Sequence, residues 1–86
     1  MKIRTIIVDD ESLSRRGIEL RLHEAGDFEI VAQCTNGREA LAAISAYHPD
    51  LVFLDIQMPG MSGFEVLAHL PQESLPVLVL DRKSVV

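Results

Sequence analysis

The sequence predicts a single α/β domain, a parallel sheet with helices on both faces. Three observations carry this. Four short runs rich in apolar and β-branched residues (Ile3–Val8, Phe28–Cys34, Leu51–Leu54 and Pro76–Leu80) read as strands. Three stretches with helical spacing separate them, so each strand–helix–strand step is a right-handed crossover between parallel strands. The length of 86 residues allows at most one domain.

Ile3–Val8 is almost wholly apolar and reads as a buried strand. Ser12 is placed to cap a helix that runs to about Ala25 and stops at Gly26. Leu13, Gly17 and Leu20 share one face of it, with Ile18 and Leu22 beside them, and Gly17 is expected to permit close contact with the sheet. In the second strand Phe28, Ile30 and Ala32 alternate with Glu29, Val31 and Gln33, which predicts an edge position with one wetter face. Asn36-Gly37 opens a helix over about Arg38–Tyr47, anchored by Leu41 and Ile44 with Ala40 and Ala43 beside them, and His48-Pro49-Asp50 ends it. Leu51–Leu54 is short and fully apolar, hence central. After the loop DIQMPGMSG a short helix covers about Gly63–Leu70. Pro71 to Ser74 connects it to Pro76–Leu80, a fourth buried strand.

Composition removes several function classes. Hydrophobic residues at 48% and charged residues at 24% describe a globular chain and not a disordered one. A net charge of −5 argues against a surface built to bind phosphate backbones. One cysteine, Cys34, excludes an internal disulfide and a multi-cysteine zinc site and suits a reducing compartment. No apolar run is long enough for a membrane span, and the N-terminus lacks the features of a signal peptide, so a cytoplasmic location is expected.

Asp9-Asp10 follow the first strand directly and Asp55 follows the third. With those strands adjacent, all three carboxylates stand at the carboxyl edge of the sheet, where open α/β sheets bind ligands. Like charges so close call for a cation. A hard divalent ion with oxygen ligands answers this, and Mg2+ fits best because it uses few carboxylates and keeps exchangeable waters. Each acid also has a plainer role: Asp9, Asp10 and Glu11 can complement a helix dipole, and Asp55 can form an Asx-turn. The conjunction favours the functional reading, since two acidic ends on neighbouring central strands would otherwise only repel. The loop Met58-Pro59-Gly60-Met61-Ser62-Gly63 must turn tightly beside Asp55, with two glycines that permit positive φ, and it can present the carbonyl of Gln57 to a metal.

The segments IIVDDE, TNGREAL, PDLVFLDIQMPGMSGFEVL and LPVLVL resemble the receiver domain of bacterial two-component response regulators, in order and spacing over residues 1–80. The resemblance implies a flavodoxin-like three-layer α/β/α fold of sheet order 2-1-3-4, continued in the family by a fifth strand. It implies that Asp55 is the phosphoacceptor for a sensor histidine kinase. It also implies that Asp10, Asp9 and the backbone carbonyl of Gln57 join Asp55 in holding Mg2+. The segments DDESLSRRGIELRL and FEIVAQCTNGREAL look most like transcriptional regulators with a LytTR-type output domain, with helix-turn-helix as the second choice.

Departures from the family pattern matter as much. The family has a Thr or Ser just past the fourth strand, where this chain has Asp81 and Arg82, and a Lys after a fifth strand that this sequence does not reach. Lys83 is not its equivalent. The reading is therefore a receiver domain over residues 1–80 that lacks the fifth strand and last two helices, followed by a tail, 81–86. That tail is expected to be non-native, because it has no periodicity and one codon choice for it reads as a sequencing adapter. Without the fifth strand and last helix, the fourth strand is expected to be an exposed edge prone to self-association, and the face contributed largely by the first strand is expected to stand open. DNA binding would need an output domain, and no membrane partner is expected. The alternative is a receiver-like interaction module that is not phosphorylated. A haloacid-dehalogenase-type phosphatase needs a second Asp where this chain has Gln57. His23, His48 and His69 are too dispersed for a metal site, Cys34 reads as a structural thiol, Met58 and Met61 as loop packing, and Arg15, Arg16 and Arg21 as a solvated helix face.

Overall fold

The computed structural model describes residues 2–58, 60–70 and 76–81. The order is β1 (Ile3–Val8), α1 (Ser12–Ala25), β2 (Phe28–Cys34), α2 (Gly37–Tyr47), β3 (Leu51–Asp55), α3 (Gly63–His69) and β4 (Val77–Asp81). The strands form one parallel sheet in the order β2-β1-β3-β4. This is the flavodoxin-like α/β/α arrangement that the sequence predicts, with β2 at an edge and β3 inside. Residues 82–86, most of the expected non-native tail, lie outside the described residues, as does the 71–75 connection. Among the described residues no helix is long and apolar enough to cross a membrane.

Alternation along the strands divides the interior into two layers. Ile6, Val8, Val52 and Leu54 point to one side and form the main core with Ala40 and Ile44 of α2 and Val66 of α3. Thr5 and Ile7 point to the other side and are fully buried, with α1 packed against β1 and β2. The face of β1 expected to stand open is therefore closed. What remains open lies across β3 and β4, where Leu51 and Phe53 are half-buried and Val77 is 67% exposed. The expectation of a buried β4 fails for its described side chains Val77 and Val79, because they share the face of Leu51 and Phe53, and among the described residues the helix on that face, α1, packs chiefly on β1 and β2.

Helix α1 differs most from the sequence reading. Its buried residue is Leu22, with Ile18 half-buried, whereas Leu13 is 84% exposed and Leu20 is also exposed. Gly17 is exposed, and a Cβ added there meets nothing within 4 Å, so it makes no close sheet contact. The cause is the short connection from β1. Asp9 Oδ1 accepts the Glu11 N–H at 2.9 Å, which keeps Glu11 extended. Glu11 is therefore the N-cap, and Ser12 is already helical. Arg15 then faces back toward Asp9, and Ile18 and Leu22 continue that face at helical spacing.

Two further details reset the pattern. A register shift between Thr5 and Ile6 leaves Val31 as an extra residue on β2, so Ile30 pairs with Thr5 and Ala32 with Ile6. The shift carries Ala32 onto the core face beside Ile6, and Val31, expected on the wetter face, is also half-buried against the core. Helix α2 has a reciprocal cap: Asn36 Oδ1 accepts the Glu39 N–H at 2.8 Å, while Glu39 Oε1 accepts the Thr35 N–H at 2.7 Å and its hydroxyl at 2.8 Å. Those Thr35 hydrogen bonds hold the Glu39 carboxyl below its ordinary pKa. At the other end of the helix His48 takes the left-handed conformation, φ 47°.

The amino ends of the strands are tied together at Asp50. Its side chain accepts the Arg4 N–H at 3.0 Å, its N–H donates to Arg4 O at 2.8 Å, and its carbonyl accepts the Val77 N–H at 3.0 Å. The Arg4 guanidinium donates to the carbonyls of Tyr47 and His48.

The exposed Gly17 and the left-handed Gly26, φ 82°, give opposite expectations for alanine. Gly17→Ala should stabilise the chain by about 1 kcal/mol through helix propensity alone. Gly26→Ala should destabilise it by about 1–2 kcal/mol, because L-residues strain in that conformation. Urea denaturation of the two variants checks both signs.

Candidate functional site

The parallel pairing of β1 with β3 runs through Val8↔Leu54, so the next residue of each chain, Asp9 and Asp55, emerges at the same edge of the sheet. Asp10 follows Asp9 immediately. One carboxylate oxygen from each of Asp9, Asp10 and Asp55 lies within 4.8 Å of the others. Asp9 and Asp55 are buried, and Asp10 is not. The three acids singled out from the sequence thus form one cluster.

Backbone donors orient the two buried acids in the same way. Asp9 Oδ1 accepts the N–H of Glu11, and Asp55 Oδ1 accepts the N–H of Gln57, each at 2.9 Å. The Asx-turn offered as the plain role of Asp55 is real, and it coexists with the cluster, since it fixes one oxygen of the carboxylate. The Asp9 backbone is held as well: its N–H donates to Cys34 O at 3.0 Å, and its carbonyl accepts from the Arg15 guanidinium at 2.7 Å.

Arg15 was expected on a solvated face together with Arg16 and Arg21. Arg16 pairs with Glu19 at the surface at 3.1 Å, and Arg21 is exposed. Arg15 is instead half-buried against the strand–helix junction. Its position held the signal: helical side chains point back toward the N-terminus, so a long residue one turn in reaches the residues before the helix.

The loop after Asp55 is shaped by close approach. Gly60 has φ 84°, as a tight turn requires, but Gly63 does not have positive φ. A Cβ on Gly63 would lie 2.8 Å from Ile56 Cα and 3.0 Å from Asp55 O, so glycine there admits the chain against the Asp55 backbone. Ser62 caps α3. Met58 is buried in the core and Met61 packs half-buried against it, as expected of loop packing. His23, His48 and His69 are all exposed and contribute nothing to the cluster.

The donor set fits a hard divalent cation. It offers three carboxylates and no soft ligand, at oxygen spacings one ion can span. Two full charges at the outer limit of that spacing repel by about 3 kcal/mol at an effective dielectric near 20. A bound cation reverses that sign. Cys34, at the adjacent end of β2, is not a competing ligand. Burial, with Glu39 adding to it, pushes its thiol from 9.0 up to about 11.

That shift predicts an alkaline effect. The folded state holds the thiol proton more tightly than the unfolded chain, so the associated stability is intact below pH 9 and is lost as pH rises toward about 11. Thermal melts across this range should show a steeper fall for the wild type than for Cys34→Ala. Equal slopes would contradict it.

Comparison with known proteins agrees with the geometry. The family model for the response regulator receiver domain matches residues 5–85. An uncharacterised response regulatory protein of Yersinia pestis is 49% identical over 77 residues, which is 90% of this chain and 32% of that protein. The transcriptional regulatory protein BtsR of Escherichia coli is 44% identical over the same proportions. The chain thus spans about a third of the length of these curated relatives. The signal receiver domain of the response regulator NarL from Mycobacterium tuberculosis superposes with a TM-score of 0.86 at 35% identity, covering 94% of this chain and 66% of that one. With its sheet order, its acidic edge and these relatives in agreement, the chain belongs to the response regulator receiver domain family.

Proposed function

We propose that this chain is a phosphoacceptor in two-component signalling, with Asp55 as the residue that takes the phosphoryl group. The observation that carries this is the convergence of Asp9, Asp10 and Asp55 at the ends of adjacent strands. In the reaction a carboxylate oxygen of Asp55 forms a bond to phosphorus. The bond from phosphorus to the donor breaks, and its electron pair leaves with the donor, a histidine nitrogen of a sensor kinase or the acetate of acetyl phosphate. Such a domain is a substrate of its kinase and not a turnover enzyme.

Asp9, Asp10, Asp55 and the backbone carbonyl of Gln57 are the groups that would hold Mg2+. When bound, the ion neutralises charge on the phosphoryl oxygens. The chain's own groups do the positioning. The Gln57 N–H holds one oxygen of Asp55, Arg15 and Cys34 hold the Asp9 backbone, and Gly63 lets the following loop close against the Asp55 carbonyl. Within a longer parent we infer control of transcription. The style of α1 and β2 supports a LytTR-type output there.

A second reading rests on one observation. The last residue of β4, Asp81, pairs in register with Asp55. An acid where the family has a hydroxyl suits an interaction module that is not phosphorylated, with β4 as a surface for self-association.

Incubation with radiolabelled acetyl phosphate and Mg2+ should label the chain, and Asp55→Asn should abolish the label. No labelling of a chain that melts cooperatively would favour the second reading. Mg2+ should raise the melting midpoint, since a ligand of the folded state stabilises it by about 2.7 kcal/mol at a hundredfold excess over Kd. Asp10→Asn should remove that rise.

A further inference from the structure

We infer that the contact of Met61 with Gly37 is a positioning clamp for the loop that follows Asp55, an inference that rests on the metal and phosphoacceptor reading above. Gly37 is the first residue of α2 and is buried. A Cβ there would stand 2.9 Å from Cβ, Cγ and Sδ of Met61, closer than real Cβ atoms come. Because Met61 Cβ is among the three, rotation of the side chain cannot relieve the overlap, and the backbone at 61 must move. No positive φ calls for glycine at 37, and helix propensity disfavours it. What the position requires is room for Met61.

The consequence reaches the site through the loop. Its start is fastened by the Gln57 N–H on Asp55 Oδ1, its end by Gly63 against Asp55 O and Ile56, and its middle by Met61 on Gly37. Gln57 is the residue proposed to offer its carbonyl to the cation, and it lies four positions before Met61. Displacement at Met61 shifts that carbonyl and loosens the hold on Asp55. Helix α2, which supplies no ligand, thereby sets the geometry of the acidic site. Met61 and Gly37 are positioning residues that act through the loop.

Calorimetric titration of the full 86-residue chain with Mg2+ tests this. Gly37→Ala should weaken Mg2+ binding about tenfold, the size typical of groups that orient metal ligands. The Met61 methyl resonance should shift in [methyl-13C]methionine spectra of the same variant. In a Met61→Gly background the Gly37→Ala change should cost less than about twofold, because all three clashing atoms, Cβ included, are gone and the effects are not additive. Gly37→Ala binding Mg2+ like the wild type while melting cooperatively would overturn the inference. So would an equal loss in the Met61→Gly background. If Gly37→Ala does not fold, Met61→Ala alone decides: weakened Mg2+ binding with a cooperative melt supports the clamp, and unchanged binding overturns it. Absence of Mg2+ binding by the wild type would sink the phosphoacceptor reading itself, and the clamp with it.

Discussion

Two parallel strands that both end in acids bring like charges together at one edge of the sheet, and the surrounding structure serves to hold them there. Repulsion would drive Asp9, Asp10 and Asp55 apart if the connections were free to move. Each connection is instead fastened by backbone hydrogen bonds: Glu11 to Asp9, Gln57 to Asp55, and Asp9 to the end of β2. The donor in each is a main-chain N–H, and the two side chains that they fix are short, so little side-chain entropy is lost in ordering them. The three acids are thus brought together by folding itself.

Three strand–helix junctions meet at this edge and contribute differently. The first supplies Asp9 and Asp10. The third supplies Asp55 and the loop that shapes its surroundings. The second supplies no acid to the cluster, yet Cys34 O, the Asn36 cap and Gly37 give the other two something to lean on. Core packing and site geometry are continuous here, since Met58, Met61 and Cys34 belong to the same apolar cluster that joins the sheet to α2 and α3.

Much of this was legible in the sequence. The strands were readable because short apolar runs between helical stretches have few alternatives, and the acid cluster because strand ends have fixed addresses in a parallel sheet. The reading failed where rotation about an axis decides the outcome. Leu13, Gly17 and Leu20 form as good a stripe on paper as Ile18 and Leu22, and only the short connection through Asp9–Glu11 sets which one faces the sheet. Arg15 was misplaced for the same reason. The alternation of β2 was misread because a bulge after Ile30 carries Ala32 onto the face of Ile6 without leaving a mark in composition. Gly63 and Gly37 were recognisable as glycines, but their reason is the proximity of another segment, which no local pattern contains.

The tie at Asp50 has a metric consequence. Arg4 and Asp50 are bound to each other at the amino end of the sheet, Asp9 lies five residues beyond Arg4, and Asp55 lies five beyond Asp50. Two strands leaving a common origin with equal residue counts, at about 3.3 Å per residue, deliver their acids to the same height. The pair works as a matched set of rulers. Adding or removing one residue in either strand would offset the acids along the sheet and turn one of them to the opposite face. The position of the chemistry is thereby set from the far end of the molecule, by counting.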